Sequence, residues 1–196
     1  MDKKSDKKRE MIITKAKQVF IRKGFASVTM KDIVDECGIS RGGVYLYFNS
    51  VDEIFIQVIL SHDIQKLKDA KSRVQENKMF RQVIDEYFDK QKNRLLNMEN
   101  SLLMAMHEYR FSHKSAQDKE FYYNQFLNTK AIILELLKYG VKQGDIPDKN
   151  IEDLAVNIMF YIEGISTMAI AFSLSEEIIN SQINFAKNMV LNYKGQ

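Results

Sequence analysis

Apolar positions recur along this chain at the three-to-four-residue spacing of helices, and short polar breaks divide the recurrence into segments. Ile12, Ile13, Ala16, Val19 and Phe20 share one face of a helix predicted over 8–23, and Gly24 stops it. Thr29 stands three residues before Asp32, a hydroxyl–acid spacing that caps a helix start. The spacing predicts a second helix with Met30, Ile33, Val34 and Cys37 on its buried stripe, ended by Gly38. Ser40 caps a third over about 40–48, where Val44 and Phe48 lie four apart on one face. Longer helical patterns follow over 51–74, 78–97, 101–113, 117–143, 150–173 and 175–193.

Two seams near the end of the chain step by four and three. One contains Ile158, Ile162, Ile165 and Ala169, the other Ile179, Ile183, Ala186 and Val190. They can complete the core of one chain or pair two copies. The helix over 150–173 carries a further stripe of Val156, Phe160, Glu163, Thr167 and Ile170, which is expected to face inward. Met104, His107, Phe111, Tyr123 and Phe126 are candidate partners for it. Each reads alone as a core residue; together they suit an apolar cavity with a few polar groups. The longest apolar stretch, residues 158–174, has Glu163 and Gly164 near its middle. A charge there is costly in lipid, so a buried helix is expected rather than a membrane span.

Composition narrows the fold without naming it. One proline and eight glycines among 196 residues leave little material for hairpins, which favours an all-α architecture. The single cysteine, Cys37, excludes a disulfide framework within the chain, and the start MDKKSDKKRE has no apolar core of a signal peptide, so a cytoplasmic location is expected. Charge is uneven. Residues 1–50 hold 11 Lys and Arg against 6 Asp and Glu, whereas 51–196 hold 18 against 20, so the basic excess that would meet a polyanion lies at the N-terminal end.

Two short helices joined by a glycine turn in that basic end form a helix-turn-helix, whose second helix enters a DNA major groove. Gly42 and Gly43 oppose helix propensity, but a missing Cβ allows close approach to a phosphate. Tyr45 and Tyr47 can donate hydroxyls to phosphate oxygens or touch thymine methyls, and Arg41 can pair with phosphate or guanine. The division expected is a DNA-binding domain over 1–52 and a helical bundle over 53–196. Nothing suggests an enzyme, a cofactor or a metal: His62, His107 and His113 lack ligand spacing, and Cys37 has no evident base.

The stretch VTMKDIVDECGISRGGVYLYFNSVDEIF resembles the N-terminal domain of the TetR family of bacterial transcriptional regulators, through Thr29, Ile33, Gly38, Ser40, Gly42, Val44, Tyr45, Tyr47 and Phe48. The resemblance spans about 8–56. It implies that Thr29, Lys31, Ser40, Arg41, Gly42, Tyr45 and Tyr47 contact a pseudo-palindromic duplex. It also implies that the terminal seams pair as a homodimer, and that the cavity takes a small hydrophobic effector releasing a repressor from its operator. Gly43, Asn49 and Val51 depart from the family pattern, Val51 standing where a phosphate-binding lysine is usual. The lysine-rich start, Lys3, Lys4, Lys7, Lys8 and Arg9, reads either as a solvated tail or as a DNA-contacting arm. The alternative to a small effector is an adaptor whose bundle binds a protein. For Glu163 three settings stay open: an internal base such as Arg110, the dimer seam, or a cationic ligand.

Overall fold

The computed structural model describes residues 3–195, and the side chains of Lys3 and Lys4 lie outside the described residues. Among the described residues the regular structure is helical: α1 (Lys3–Lys23), α2 (Met30–Cys37), α3 (Arg41–Tyr45), α4 (Val51–Gln75), α5 (Phe80–Leu96), α6 (Leu103–Ser112), α7 (Ala116–Gln143), α8 (Ile151–Phe172) and α9 (Glu176–Leu191), with a 3₁₀ turn at Met98–Asn100. The all-α expectation holds. Two compact units divide the chain. The first runs to His62 and takes in Met98–Asp118; the second comprises Asp63–Asn97 and the residues from Lys119 onward.

In the first unit, α1 starts five residues earlier than the periodicity predicts. The N-terminal lysine-rich segment is therefore helix from Lys3 on, continuous with α1, rather than a solvated tail. No glycine or proline interrupts it before Gly24, Asp6 in its first turn suits the helix dipole, and the Arg9 guanidinium lies 5.2 Å from the centre of the Phe48 ring. Ile12, Ala16, Phe20, Ile33, Val44, Phe48, Ile54 and Phe55 are fully buried and form the core. Phe55 packs edge-on against Phe20 at 4.8 Å, and Phe25 stands 4.9 Å from Phe55 and 4.8 Å from Tyr109 of α6. Glu108 of α6 accepts hydrogen bonds from the backbone N–H groups of Phe25 (2.6 Å) and Ala26 (2.9 Å), closing the turn after α1. Gly24 turns there at φ 73°, a left-handed conformation open to glycine.

In the second unit, α5, α8 and α9 pack on one another. Polar ties complete the unit: Lys187 pairs with Asp85 at 3.0 Å and Lys130 with Glu152 at 2.8 Å. The start of α5 is tied to α7, because Gln143 accepts from the Phe80 N–H at 2.8 Å and Tyr139 donates to the Lys78 carbonyl at 2.6 Å. Phe80 lies on Gly140 so closely that a Cβ there would sit 2.6 Å from its ring. Helix α8 is long and apolar enough to cross a membrane. Its residues Ile151, Leu154, Ala155, Ile158, Ile162, Ile165 and Ala169 are buried in the second unit, which makes it a core helix.

Candidate nucleic-acid interface and effector unit

The helix-turn-helix is built by its caps. Thr29 Oγ1 accepts from the Asp32 N–H while Asp32 accepts from the Thr29 N–H, a reciprocal box that starts α2, and Gly38 at φ 66° ends it. Lys23, 2.6 Å from Asp32, together with the Thr29 amide and hydroxyl, holds the Asp32 carboxyl down at about 2. Ser40 caps α3 by accepting from the Gly43 N–H at 3.2 Å. Regular α3 ends at Tyr45, sooner than 40–48 implies, because Tyr47 N–H turns back to the Val44 carbonyl at 2.9 Å and tightens the last turn. Glu53 then accepts from the Asn49 N–H at 2.7 Å, and Ser50 caps α4.

The expected contact residues fall on an exposed surface, with one exception. Thr29, Lys31, Ser40, Arg41, Gly42 and Tyr45 are exposed and Tyr47 is half-buried. Gly43 is buried, correcting its place in the DNA-contact set. A Cβ there would lie 3.2 Å from Ser40 Oγ, so Gly43 keeps room for the helix cap, whereas a Cβ on Gly42 would meet nothing within 4 Å. Arg41 reaches over the Tyr45 ring at 5.3 Å and toward its hydroxyl at 3.4 Å. Leu46, 80% exposed, belongs to the same surface and was missed. Its signal was an apolar residue off the Val44–Phe48 stripe. Cys37 is half-buried and burial pushes its thiol up, as suits a packed residue rather than a reactive one.

The eight effector-pocket candidates do not share an inward face. Met104, His107 and Phe111 stand on α6 of the first unit, and only His107 of these is buried; Phe111 is 68% exposed. Tyr123, Phe126, Phe160, Glu163 and Thr167 belong to the second unit, where Tyr123 and Phe160 are exposed and the other three half-buried. The physical reason is helical phase: Phe160 lies two residues from both Ile158 and Ile162, hence across the helix from the buried stripe. Tyr123, Phe126 and Phe160 form a row of rings at 6.2 Å spacings. An open cleft of about 320 Å³ elsewhere in this unit is lined by Met79, Phe80, Arg81, Gln143, Asp145 and Leu191, none of them a candidate.

Arg94 on α5 was not foreseen. Burial works against its charge, the Tyr87 hydroxyl and Glu163 carboxylate favour it, and it reaches Ser166 Oγ at 3.5 Å. Burial also pushes the Tyr87 hydroxyl up to about 12.

The dimer-seam expectation is corrected in phase. Ile158, Ile162, Ile165, Ala169, Ile179, Ile183, Ala186 and Val190 are all buried inside the single chain, because α8 and α9 use that seam on each other and on α5. The large apolar side chains left to solvent are Phe160, Met168 and Phe172, spaced by eight and then four residues on α8, and Ile178 and Phe185 on α9. Tyr161 stacks on Phe185 at 5.5 Å and donates to Gln182.

A capped helix-turn-helix followed by a helical second unit defines a DNA-binding transcriptional regulator. Residues 12–58 match the family described as bacterial regulatory proteins of the tetR family, and 83–180 match the tetracyclin repressor-like C-terminal domain. The HTH-type transcriptional regulator YfiR of Bacillus subtilis is 31% identical over 192 residues, covering 93% of this chain and 89% of YfiR. TtgR of Pseudomonas putida is 24% identical over 80% of this chain and 77% of its own. Among solved structures, reduced NemR of E. coli superposes with a TM-score of 0.76 at 16% identity, over 94% of this chain and 98% of NemR. FadR of Bacillus subtilis in complex with stearoyl-CoA gives 0.70 at 15% identity, over 93% and 97%. The chain belongs to the TetR family of transcriptional regulators.

Proposed function

We propose that this regulator is a cytoplasmic homodimeric repressor that holds a pseudo-palindromic operator through residues 1–52 and leaves it when residues 53–196 bind a small hydrophobic effector. The exposed surface of α3 carries the reading. Ser40, Arg41, Gly42, Tyr45 and Leu46 offer hydroxyl, guanidinium and apolar contacts beside an open glycine, with Thr29, Lys31 and Tyr47 alongside. One such module reads a half-site, so a symmetric partner is required. The face with Phe160, Met168, Phe172, Ile178 and Phe185 is the surface we assign to it. Support for an effector comes from the stearoyl-CoA held by the FadR neighbour.

Fluorescence anisotropy with duplexes from the DNA adjoining the gene tests the first half. Binding should favour one duplex over its scrambled version and fall by about tenfold or more between 50 and 200 mM salt, through counterion release. Equal affinity for both duplexes overturns it. A thermal-shift screen followed by operator release tests the second half, since a ligand of the folded state raises the melting temperature by mass action.

A further inference from the structure

A guanidinium enclosed by protein ordinarily satisfies its five donors with carboxylates, carbonyls or water. Arg94 does not. Its Nε is sealed from solvent and has no hydrogen-bond partner, and its recorded hydrogen bond runs from Nη2 to Ser166 Oγ at 3.5 Å, the long limit of such a bond. Ser166 is itself fully buried and donates to the Ile162 carbonyl at 2.8 Å, so it offers Arg94 a neutral lone pair and no counter-charge. Tyr87 lies two turns earlier on α5 and so projects to the same side of that helix. Glu163 lies one turn before Ser166 on α8, is itself partnered, and its carboxylate favours the Arg94 charge. The cluster is thus a half-buried cation on α5, facing Ser166 of α8, whose Nε edge is idle and closed to solvent.

We infer that Arg94 is the receptor for an oxyanion head group of the effector, a carboxylate or a phosphate monoester carried on an apolar body. The idle Nε–H and a neighbouring Nη–H present the parallel pair of donors that a planar carboxylate or two phosphate oxygens accept. Ser166 Oγ holds the guanidinium by its Nη2 and orients that edge. The apolar body is that of the hydrophobic effector proposed for this unit. The inference rests on the reading that the second unit binds an effector, and it fixes the sign of that effector's charge as negative. A cationic ligand drawn to Glu163 would have to approach this guanidinium.

The full-length protein bound to operator DNA is titrated with dodecanoate, dodecyl phosphate, dodecanamide and dodecylamine, reading melting temperature, dissociation constant and operator release. One or both anions should bind about tenfold or more tightly than the amide, the span of a charge-assisted hydrogen bond, and their ratio assigns the head group. Arg94→Gln should remove that preference and leave dodecanamide affinity within about twofold, and Arg94→Lys should retain part of it. Should Arg94→Gln fail to fold, the wild-type comparison of acid with amide still decides. The ¹⁵N resonance of the Arg94 Nε, shifted by the acid and not by the amide, decides as well. Equal binding of acid and amide, or anion binding that survives Arg94→Gln unchanged, overturns the inference. If only the amide or the amine binds and releases the operator, the anion receptor fails while the effector reading stands. If none of the four acts on melting or operator affinity, both fail.

Discussion

The Glu108 carboxylate occupies the space that a side chain on Gly24 would need, its Oε2 2.6 Å from the position of a Cβ there. Gly24 also holds φ 73°, so alanine would meet both backbone strain and a displaced carboxylate that caps two N–H groups. Gly24→Ala should destabilise the protein by about 2–4 kcal/mol in urea unfolding. Adding Glu108→Ala should cost less than the sum of the two single changes, because both remove the same cap. Strict additivity would show that the contact carries no energy.

Tyr45 and Phe48 separate binding from folding within one turn of the chain. Tyr45→Phe removes an exposed hydroxyl and should weaken operator binding by about 0.5–3 kcal/mol with the melting temperature unchanged. Phe48, fully buried under Arg9, should cost about 3–5 kcal/mol of stability as alanine. Leu46→Ser should leave stability within about 0.5 kcal/mol and alter only DNA affinity, read by anisotropy.

On α9, Phe185 and Ile183 face opposite fates. Phe185→Asp should convert the dimer to a folded monomer in analytical ultracentrifugation, since its ring is exposed in the single chain. Ile183→Ala should instead lower stability by about 2–5 kcal/mol and leave assembly intact under native conditions. The reverse pattern would return the dimer seam to the buried stripe.

Two carboxylates give opposite pH signatures. Asp32 is held at about 2, below its usual 3.8, so its contribution is complete above pH 4 and disappears as pH falls toward 2. Asp32→Asn should flatten that part of the acid unfolding curve. Asp63, buried in mid-α4 with Oδ2 unpartnered, has its carboxyl pushed up by burial despite Lys66. Its folded form holds the proton more tightly than the unfolded chain, so stability falls as pH rises above 3.8 through the raised value. Asp63→Asn should therefore raise the melting temperature at pH 7, measured by calorimetry.

Helix ends were legible because caps are local: Gly24, the Thr29–Asp32 box, Gly38, Ser40 and Ser50 each act within four residues of themselves. Helix phase was legible too, but not what each face meets. The Ile158–Ile162–Ile165–Ala169 stripe has the same spacing whether its partner is α9 of the same chain or a twin. Phe160 and Phe111 look like pocket residues by type and become solvent-facing only when the neighbouring helices are placed. Arg94 was invisible for a related reason. An arginine in KQKNRLL reads as surface until α8 closes over it.

The seat of Phe80 on Gly140 acts as a key in a slot. One turn earlier on α7 stands Leu136, a buried branched side chain, and one turn later the helix has already ended at Gln143. Sliding α7 along its axis would drive a side chain into the ring or leave the ring without a seat. The joint therefore resists translation of α7 past the start of α5. A shape change in the second unit that moves the C-terminal end of α7 must then carry the start of α5 with it, as one clasped joint.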